Sequence, residues 1–244
     1  MKILEVEKLS VEFSGFKAIS DLDFTLDEGE IRTIIGPNGA GKTTFIDLIT
    51  GKIPPTKGKI KLKGKEITNF NSTQISKLGV GRKFQGPNIF DSLTVLENID
   101  VALKGNKGVF RSIFYKNKNE AKDLIEDILE KIGLIDRKDD SAEILSHGQK
   151  QWLEIGMILA QDPDFIILDE PTTGMTADET FKTGELIQTI FKNRTVIVVE
   201  HDMAFVKQIA QKVTVLHQGK LLAEGSLQSV EENEEVQKVY LRGV

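Results

Sequence analysis

Residues 36–43 read Gly-Pro-Asn-Gly-Ala-Gly-Lys-Thr and match the phosphate-binding pattern G-x-x-x-x-G-K-[ST]. A segment rich in isoleucine, Ile-Arg-Thr-Ile-Ile at residues 31–35, precedes this loop, and a helical pattern at residues 43–48 follows it. Glycines let backbone N–H groups curl around a phosphate, and the N-terminal end of a helix adds its positive dipole. A glycine-rich connecting turn would not need all of these features. The loop therefore predicts a nucleoside-triphosphate site formed by Gly36, Pro37, Asn38, Gly39, Ala40, Gly41, Lys42, Thr43 and Thr44.

A second part of the same site is predicted where an apolar run, residues 165–168, ends in Asp169 and Glu170. At the C-terminal edge of a parallel strand, Asp169 can hold Mg²⁺ together with the hydroxyl of Thr43. Glu170 is then placed to polarise an attacking water, and Lys42 supplies a positive charge for the β- and γ-phosphates. Two neighbouring carboxylates also occur by chance on protein surfaces, but the apolar run before them favours a site.

Two further polar residues are candidates for the site: Gln85, after Gly-Arg-Lys-Phe at residues 81–84, and His201, at the end of an apolar run at residues 196–199. Gln85 is predicted to contact both the metal and the γ-phosphate through its amide, and His201 to contact the γ-phosphate and the hydrolytic water. Either residue alone is a weak signal, since a single histidine at a strand end is more often a surface or capping residue.

Another anion site is predicted at residues 145–151, Leu-Ser-His-Gly-Gln-Lys-Gln, which lead into an amphipathic helical pattern at residues 152–160. A serine and a glycine at a helix N-terminus can bind a phosphate. Since the first phosphate site is already complete, a second one suggests a head-to-tail dimer in which each chain covers its partner's nucleotide.

Composition excludes several functions. The formal charge of −5 argues against a strongly basic nucleic-acid binder and against adhesion to anionic lipid. The absence of cysteine excludes disulfides and thiol catalysis, and the 3 histidines make a histidine-rich metal site improbable. Residues 105–119 are basic and carry three aromatics. A nucleic-acid patch is conceivable there, but a solvated loop is favoured because no other basic face extends it.

The order of strand and helix patterns indicates an α/β fold. Early segments read as antiparallel strands, three later ones as buried parallel strands, and residues 95–161 as mostly helical, with an apolar helix face at residues 121–132. No apolar run is long enough to span a membrane, and residues 1–10 do not resemble a signal peptide, so we expect a cytoplasmic chain. The antiparallel strands are predicted at residues 3–6, 11–13, 22–26 and 60–62, and the parallel ones at 31–35, 165–168 and 195–199.

Together, the phosphate loop, Gln85, residues 145–149, Asp169-Glu170 and His201 resemble an ATP-binding cassette (ABC) ATPase over nearly the whole chain. The resemblance implies an α/β P-loop NTPase fold of the ABC ATPase type, with a RecA-like core, an N-terminal antiparallel β subdomain and an inserted helical subdomain. The implied division of the single domain, residues 1–244, is a core at 1–90 and 162–225, a helical subdomain at 91–161 and a helical tail at 226–244.

The resemblance also implies individual roles. Phe13 would stack on adenine, Glu170 would be the catalytic base and His201 the switch residue. Residues that would serve the ATP of the other subunit are Ser146, Gly148 and Gln149. Two positions depart from the family pattern. His147 stands where the signature usually has glycine, and its side chain need not obstruct the phosphate if it points away. Thr176 stands where an acid is usual, which puts the usual subunit-to-subunit acid contact in doubt.

Residues 174–176, 105–117, 200–203 and 239–241 resemble importers of the branched-chain-amino-acid type. Within that group, residues 81–85 and 145–154 look most like the urea-importer ATPase subunit. The resemblance implies a motor that uses ATP and Mg²⁺ to import a small polar solute, urea first, with branched-chain amino acids or other amides as the alternative. No residue here contacts urea.

The implied partners are a second ABC ATPase subunit, which is a similar chain in the cell or a second copy in isolation, and two membrane permeases. A periplasmic solute-binding protein takes part indirectly, and nucleic acid does not. This places the chain on the inner face of the plasma membrane. A permease-docking groove is expected near residues 85–96. Its apolar contacts would come from Phe84, Pro87, Ile89, Phe90 and Leu93.

Rival readings of another class are ABC proteins acting on DNA or on ribosomes. The former carry long coiled coils and the latter usually join two cassettes, and neither feature is seen. An exporter subunit of this length stays open.

Overall fold

Two β-sheets, one of 4 strands and one of 6, organise the part of the chain that the structure describes. The computed structural model describes residues 1–83, 88–105 and 118–241, and the side chains of residues 104–105, 118–120 and 240–241 are not described. The smaller sheet is antiparallel, with strand order β2-β1-β4-β5. Its strands are β1 (Lys2–Phe13), β2 (Phe16–Asp27), β4 (Lys57–Leu62) and β5 (Lys65–Glu66).

The first strand corrects the sequence prediction of separate strands at residues 3–6 and 11–13. Strand β1 runs through both segments, and its pairing with β2 shifts register between Val6 and Leu9. Lys8 adopts a positive φ of 48° at this irregularity. An extra residue at a bulge interrupts the alternation of apolar and polar residues without ending the strand.

The larger sheet has the order β10-β9-β3-β8-β7-β6. All pairings are parallel except that of the edge strand β10 with β9. The predicted strands at residues 31–35 and 195–199 have the observed bounds, whereas β6, β9 and β10 were not predicted. The strands are β3 (Ile31–Ile35), β6 (Val80–Lys83), β7 (Phe165–Asp169), β8 (Thr195–Val199), β9 (Lys212–His217) and β10 (Lys220–Gly225).

Helices cover both faces of this sheet. Alternate residues of the central strands pack toward the smaller sheet on one side and toward the helical segment on the other. Every residue of β3, β7 and β8 is therefore buried, as expected for parallel strands covered on both faces. The helices are α1 (Lys42–Ile49), α2 (Ser72–Ser76), α3 (Val95–Gly105), α4 (Lys118–Lys131), α5 (His147–Ala160), α6 (Ala177–Ile190), α7 (Met203–Ile209), α8 (Leu227–Glu231) and α9 (Glu234–Leu241).

Helices α3, α4 and α5 lie between β6 and β7 in the chain and pack on one another. The predicted apolar face of α4 is buried at Ile125, Ile128 and Leu129. Helix α5 approaches closely because Gly156 has no side chain; a Cβ there would lie 2.7 Å from Cδ1 of Ile132. This insertion agrees with the predicted α/β architecture, while the exact subdomain bounds stay a prediction.

Among the described residues, none of the helices combines the length and the apolar character that a membrane span requires. The strands that matter for function are β3, β7 and β8, which are neighbours and parallel. The residues that follow them therefore meet at one edge of the sheet, where ligands bind in folds of this kind.

Candidate functional site

The phosphate loop joins the end of β3 to the start of α1. Gly41 is the N-cap of α1 with φ at 100°, and a Cβ there would lie 2.8 Å from Cδ1 of Ile19. A Cβ at Gly36 would lie 2.3 Å from the carbonyl oxygen of Leu216. Only glycine fits both positions, so the strands around the loop determine its tight curl. Thr43 and Thr44 lie in the first turn of α1, where N–H groups have no partner inside the helix.

Lys42 is buried inside this loop. Its Nζ donates to the carbonyl oxygens of Gly36 at 2.6 Å and Pro37 at 3.1 Å. Burial lowers the pKa of Lys42, and the negative charges of Glu170 and Asp169 oppose that shift. The loop thus holds a cation next to acids at the position where a polyphosphate would need it.

Asp169 ends β7 and is 1% exposed. Its Oδ2 accepts from Nη2 of Arg82 at 3.2 Å, while its Oδ1 is buried with no hydrogen-bond partner in the described part of the chain. Burial raises the pKa of this carboxyl, and the neighbouring Arg82 opposes the shift.

These observations fit a magnesium ion. A buried carboxylate oxygen without a partner needs a cation or a donor, and the exposed hydroxyl of Thr43 lies at the start of α1. Mg²⁺ commonly binds through one or two protein oxygens plus substrate phosphates. Accordingly, the described residues contain no cluster of three or more acids and histidines that would hold a metal by themselves.

Glu170, directly after Asp169, lies close to His201 at the end of the neighbouring strand. Glu170 follows β7 with a positive φ of 48°, and its N–H donates to the carbonyl of Val199 at 2.9 Å. Its Oε1 lies 3.7 Å from Nδ1 of His201, and its Oε2 accepts from Oγ1 of Thr173 at 3.2 Å. A left-handed glutamate is strained, and such strain is concentrated at functional sites. His201 itself is largely exposed.

Glu200 is a part of the site that sequence reasoning missed. It is 1% exposed and accepts from N–H and Oγ1 of Thr172, at 3.2 and 2.7 Å. It also accepts from the N–H of His201 at 3.1 Å. Glu200 therefore ties the loop after β7 to the loop after β8. The one signal in the sequence is an acid directly after the apolar run at residues 196–199.

Ser146 is the N-cap of α5, which begins earlier than the predicted helical pattern. Its Oγ accepts from the N–H of Gln149 at 3.2 Å, and Oε1 of Gln149 accepts from the N–H of Ser146 at 3.0 Å. Gln149 also accepts from Nη1 of Arg137 at 2.8 Å. This reciprocal capping box orders the start of the helix. The N-terminus of α5 is thus a defined donor surface with Ser146 exposed at its tip.

A family model described as "ABC transporter" matches residues 19–173, which include the phosphate loop, Ser146 and Asp169. The chain belongs to the ABC transporter family. This membership makes it an ATP-binding ATPase domain and confirms the predicted fold and family.

Relatives in sequence and a solved structure are similar to this chain over nearly its full length. LivG of Salmonella typhimurium, named a high-affinity branched-chain amino acid transport ATP-binding protein, is 35% identical over 98% of this chain and 97% of its own. BraF of Pseudomonas aeruginosa carries the same description and is 36% identical with the same coverage. A crystal structure described as the ADP conformation of an ATP-binding cassette of an ABC transporter has a TM-score of 0.85 at 30% identity and covers 99% of both chains.

The two residues that depart from the family pattern, His147 and Thr176, both make contacts at the turn before α6. His147 points toward the turn before α6, where its Nε2 lies 3.0 Å from the carbonyl oxygen of Thr173. A Cβ on Gly174 would come within 3.1 Å of the same ring atom. Thr176 is the N-cap of α6, and its Oγ1 accepts from the N–H of Glu179 at 3.3 Å. Both residues stabilise the chain's own loops.

Glu179 connects these two caps and was also missed from the sequence. Its Oε1 accepts from Oγ of Ser146 at 3.0 Å, and its Oε2 accepts from the N–H of Thr176 at 3.0 Å. The hydrogen bond from the N–H of Thr176, together with that from Ser146, lowers the pKa of Glu179. Gly148 is buried beneath this carboxylate, since a Cβ there would lie 2.5 Å from Oε1 of Glu179.

Two further predicted site residues are Phe13 and Gln85. Phe13 is 47% exposed at the end of β1 and pairs with Phe16, which is 67% exposed across the hairpin turn. Gln85 lies outside the described residues, and so do Phe84 and Pro87 of the predicted docking groove. Of the remaining groove residues, Phe90 is exposed, while Ile89 and Leu93 are partly buried.

Proposed function

We propose that this chain is the ATP-hydrolysing subunit of an ABC importer for branched-chain amino acids. The observation that carries the proposal is the near full-length similarity to LivG and BraF, whose names specify that transport. The motifs at residues 81–85 and 145–154 favour urea, but the names of these relatives favour the alternative reading. An amino acid is therefore proposed as the solute.

ATP binding is assigned to the phosphate loop. Lys42 neutralises the β- and γ-phosphates from inside the loop, and the first N–H groups of α1 donate to them. Thr43 and Oδ1 of Asp169 would hold Mg²⁺, which supplies neutralisation of the charge that develops on the phosphates. Phe13, exposed at its hairpin end, is proposed to stack on the adenine ring.

Water activation is assigned to Glu170. Its carboxylate is partly exposed and oriented by Thr173, so one oxygen can accept a proton from water. His201 lies next to that carboxylate and is proposed to contact the γ-phosphate. Glu200 accepts hydrogen bonds from His201 and from Thr172, which follows the base Glu170 by two residues. These bonds fix the distance between the proposed base and the proposed switch residue.

A second ATPase subunit is proposed to complete each site. The exposed Ser146 tip, with Gln149 and Gly148 behind it, presents N–H donors to a phosphate of the opposite chain. Gly148 lies under Glu179, so this contact requires the Glu179 carboxylate to shift or the phosphate to approach from the Ser146 side.

Two membrane permeases are proposed to dock on the face formed by α2, β6 and α5. A cavity of about 720 Å³ lies there, with Val80, Met157 and Ile158 among its lining residues. Because this cavity contacts both the sheet and α5, a permease helix in it would respond to movement between them. Such docking places the chain on the inner face of a membrane, and a solute-binding protein would contact only the permeases.

Uptake in cells of the source organism tests the proposal. The gene is deleted and then complemented with the wild-type chain or with Glu170→Gln, and uptake of radiolabelled leucine and urea is measured. We expect leucine uptake to be lost and restored only by the wild type, with urea uptake unchanged. Loss of urea uptake alone would reverse the choice of solute, and unchanged uptake of both would refute import of either solute.

A further inference from the structure

Strand β6 carries two consecutive cations that face opposite sides of the larger sheet. Lys83 lies 3.5 Å from Glu154 of α5, while Arg82 points toward α1. The side chain of Lys83 is fully buried and that of Arg82 is largely buried, with 9% exposure. Buried charges are costly unless they are paired with good geometry, so the contacts of Arg82 indicate what its position serves.

The guanidinium of Arg82 joins the phosphate-loop helix to the predicted metal ligand. Its Nη1 donates to Oδ1 of Asp47 at 2.7 Å and to Oγ1 of Thr50 at 3.1 Å, both in or just after α1. Its Nη2 donates to Oδ2 of Asp169 at 3.2 Å. One planar group thus occupies one oxygen of the Asp169 carboxylate and leaves the other, Oδ1, without a hydrogen-bond partner among the described residues.

We propose that Arg82 is a positioning residue for magnesium: anchored on Asp47, its guanidinium turns the Asp169 carboxylate so that Oδ1 faces the metal bound with the nucleotide. The inference rests on the proposed function, because it concerns the metal of that same nucleotide site. The physical reason is that a metal-binding carboxylate is itself oriented by hydrogen bonds from the residues behind it.

The geometry requires arginine at this position. A guanidinium has donors in a rigid planar fork and can reach Asp47 and Asp169 at once, whereas a lysine ammonium is a compact charge on a flexible stem. Arg82→Lys therefore keeps the positive charge but loses the planar set of donors that contacts Asp47 and Asp169 together. Arg82→Met removes both the charge and the donors.

Lys52 offers a matched control. Its Nζ lies 3.2 Å from Oδ2 of the same Asp47, but the side chain is 55% exposed. Lys52→Met removes a cation from Asp47 without removing the guanidinium that contacts Asp169. Asp47→Asn is a milder second variant, because it weakens the anchor and leaves Arg82 in place.

The experiment measures metal binding and nucleotide binding separately. Binding of Mn²⁺ in the presence of ADP is followed by the loss of the free Mn²⁺ signal in electron paramagnetic resonance. Binding of a fluorescent ADP analogue is measured in EDTA. We expect Arg82→Lys and Arg82→Met to weaken Mn²⁺ binding by about tenfold or more, the usual size for loss of a residue that orients a metal ligand. Asp47→Asn is expected to weaken Mn²⁺ binding severalfold.

Nucleotide binding in EDTA is expected to stay at the wild-type level in all variants, which also shows that they are folded. Lys52→Met is expected to bind Mn²⁺ like the wild type. Wild-type or tighter Mn²⁺ binding by the Arg82 variants would overturn the inference, and so would an equal loss of nucleotide binding in EDTA. Failure of the wild-type chain to bind ADP at all would instead overturn the proposed function.

Discussion

At the level of single residues, the nucleotide site carries charges that the fold itself does not favour. Burial lowers the pKa of Lys42 and raises that of Asp169, so burial opposes the charged form of both side chains. Both nevertheless lie where a polyphosphate and its metal would bind. This is the expected pattern when residues are selected for binding at some cost in stability.

Replacement of the proposed base gives a direct test at this scale. Glu170→Gln keeps the shape of the side chain and its contact with Thr173 but cannot accept a proton. We expect ATP affinity, measured by calorimetry, to be retained and phosphate release to fall by roughly 10²-fold or more. Asp178→Asn is the control, since Asp178 is an exposed acid in the first turn of α6. A Glu170→Gln protein that hydrolyses ATP at the wild-type rate would show that another group activates the water.

At the level of elements, the N-termini of α5 and α6 share one carboxylate. Glu179 accepts from Ser146, which caps α5, and from Thr176, which caps α6. Helix α5 is thereby connected to the turn that follows Glu170, the proposed base. A substitution at the start of either helix is therefore expected to alter the capping hydrogen bonds at the start of the other.

The lowered pKa of Glu179 makes this connection dependent on pH. Because the folded pKa lies below the usual glutamate value, the charged carboxylate contributes stability at neutral pH, which is lost as the pH falls through the folded pKa. Glu179→Gln should lower the melting temperature at pH 7 by about 2–4 °C, because a loss of about 1 kcal/mol, typical of one solvent-exposed hydrogen bond, shifts a domain of this size by that much.

The difference between the wild type and Glu179→Gln should shrink as the solution is acidified toward that folded pKa. Calorimetric melting at several pH values measures it, and Glu185→Gln, an exposed acid farther along α6, is the control. A difference that stays constant down to acid pH would mean that the charge of Glu179 does not stabilise the two caps.

At the level of the whole molecule, the phosphate loop and the Ser146 tip belong to two different sites if the dimer is head-to-tail. Lys42→Ala inactivates the loop of its own chain, and Ser146→Arg inactivates the tip that serves the partner. In a mixed dimer, one site keeps both intact halves. An equal mixture of the two inactive variants should therefore regain about a quarter of the wild-type rate.

Lys42→Ala mixed with Glu170→Gln is the matched control for that complementation. Both changes act through the site built on their own chain, so each site of a mixed dimer contains one defect. ATPase activity of the mixtures is the measurement. No recovery with Ser146→Arg, or equal recovery in both mixtures, would contradict the head-to-tail arrangement.

The parallel strands and the main site residues follow from local sequence. Strands β3 and β8 have the predicted bounds because isoleucine and valine make up most of both segments, as is usual for parallel strands that are buried on both faces. Strand β6 was missed because its short run ends in Arg82 and Lys83, and polar side chains at such positions resemble a loop. Only the packing of α1 and α5 on either face shows that both cations are paired with acids and largely removed from solvent.

The phosphate loop, the acids after β7 and the serine before α5 could be proposed from the sequence because each motif is contiguous and would bind through its own backbone or adjacent side chains. The contacts of Arg82 with Asp169, of Glu200 with Thr172 and of Glu179 with Ser146 join residues that are distant in the chain. Their partners are determined by which strand ends and helix starts the sheet brings together, and no local pattern contains that information. Sequence alone determined which chemistry the chain carries; tertiary structure decided how its acids are oriented and held.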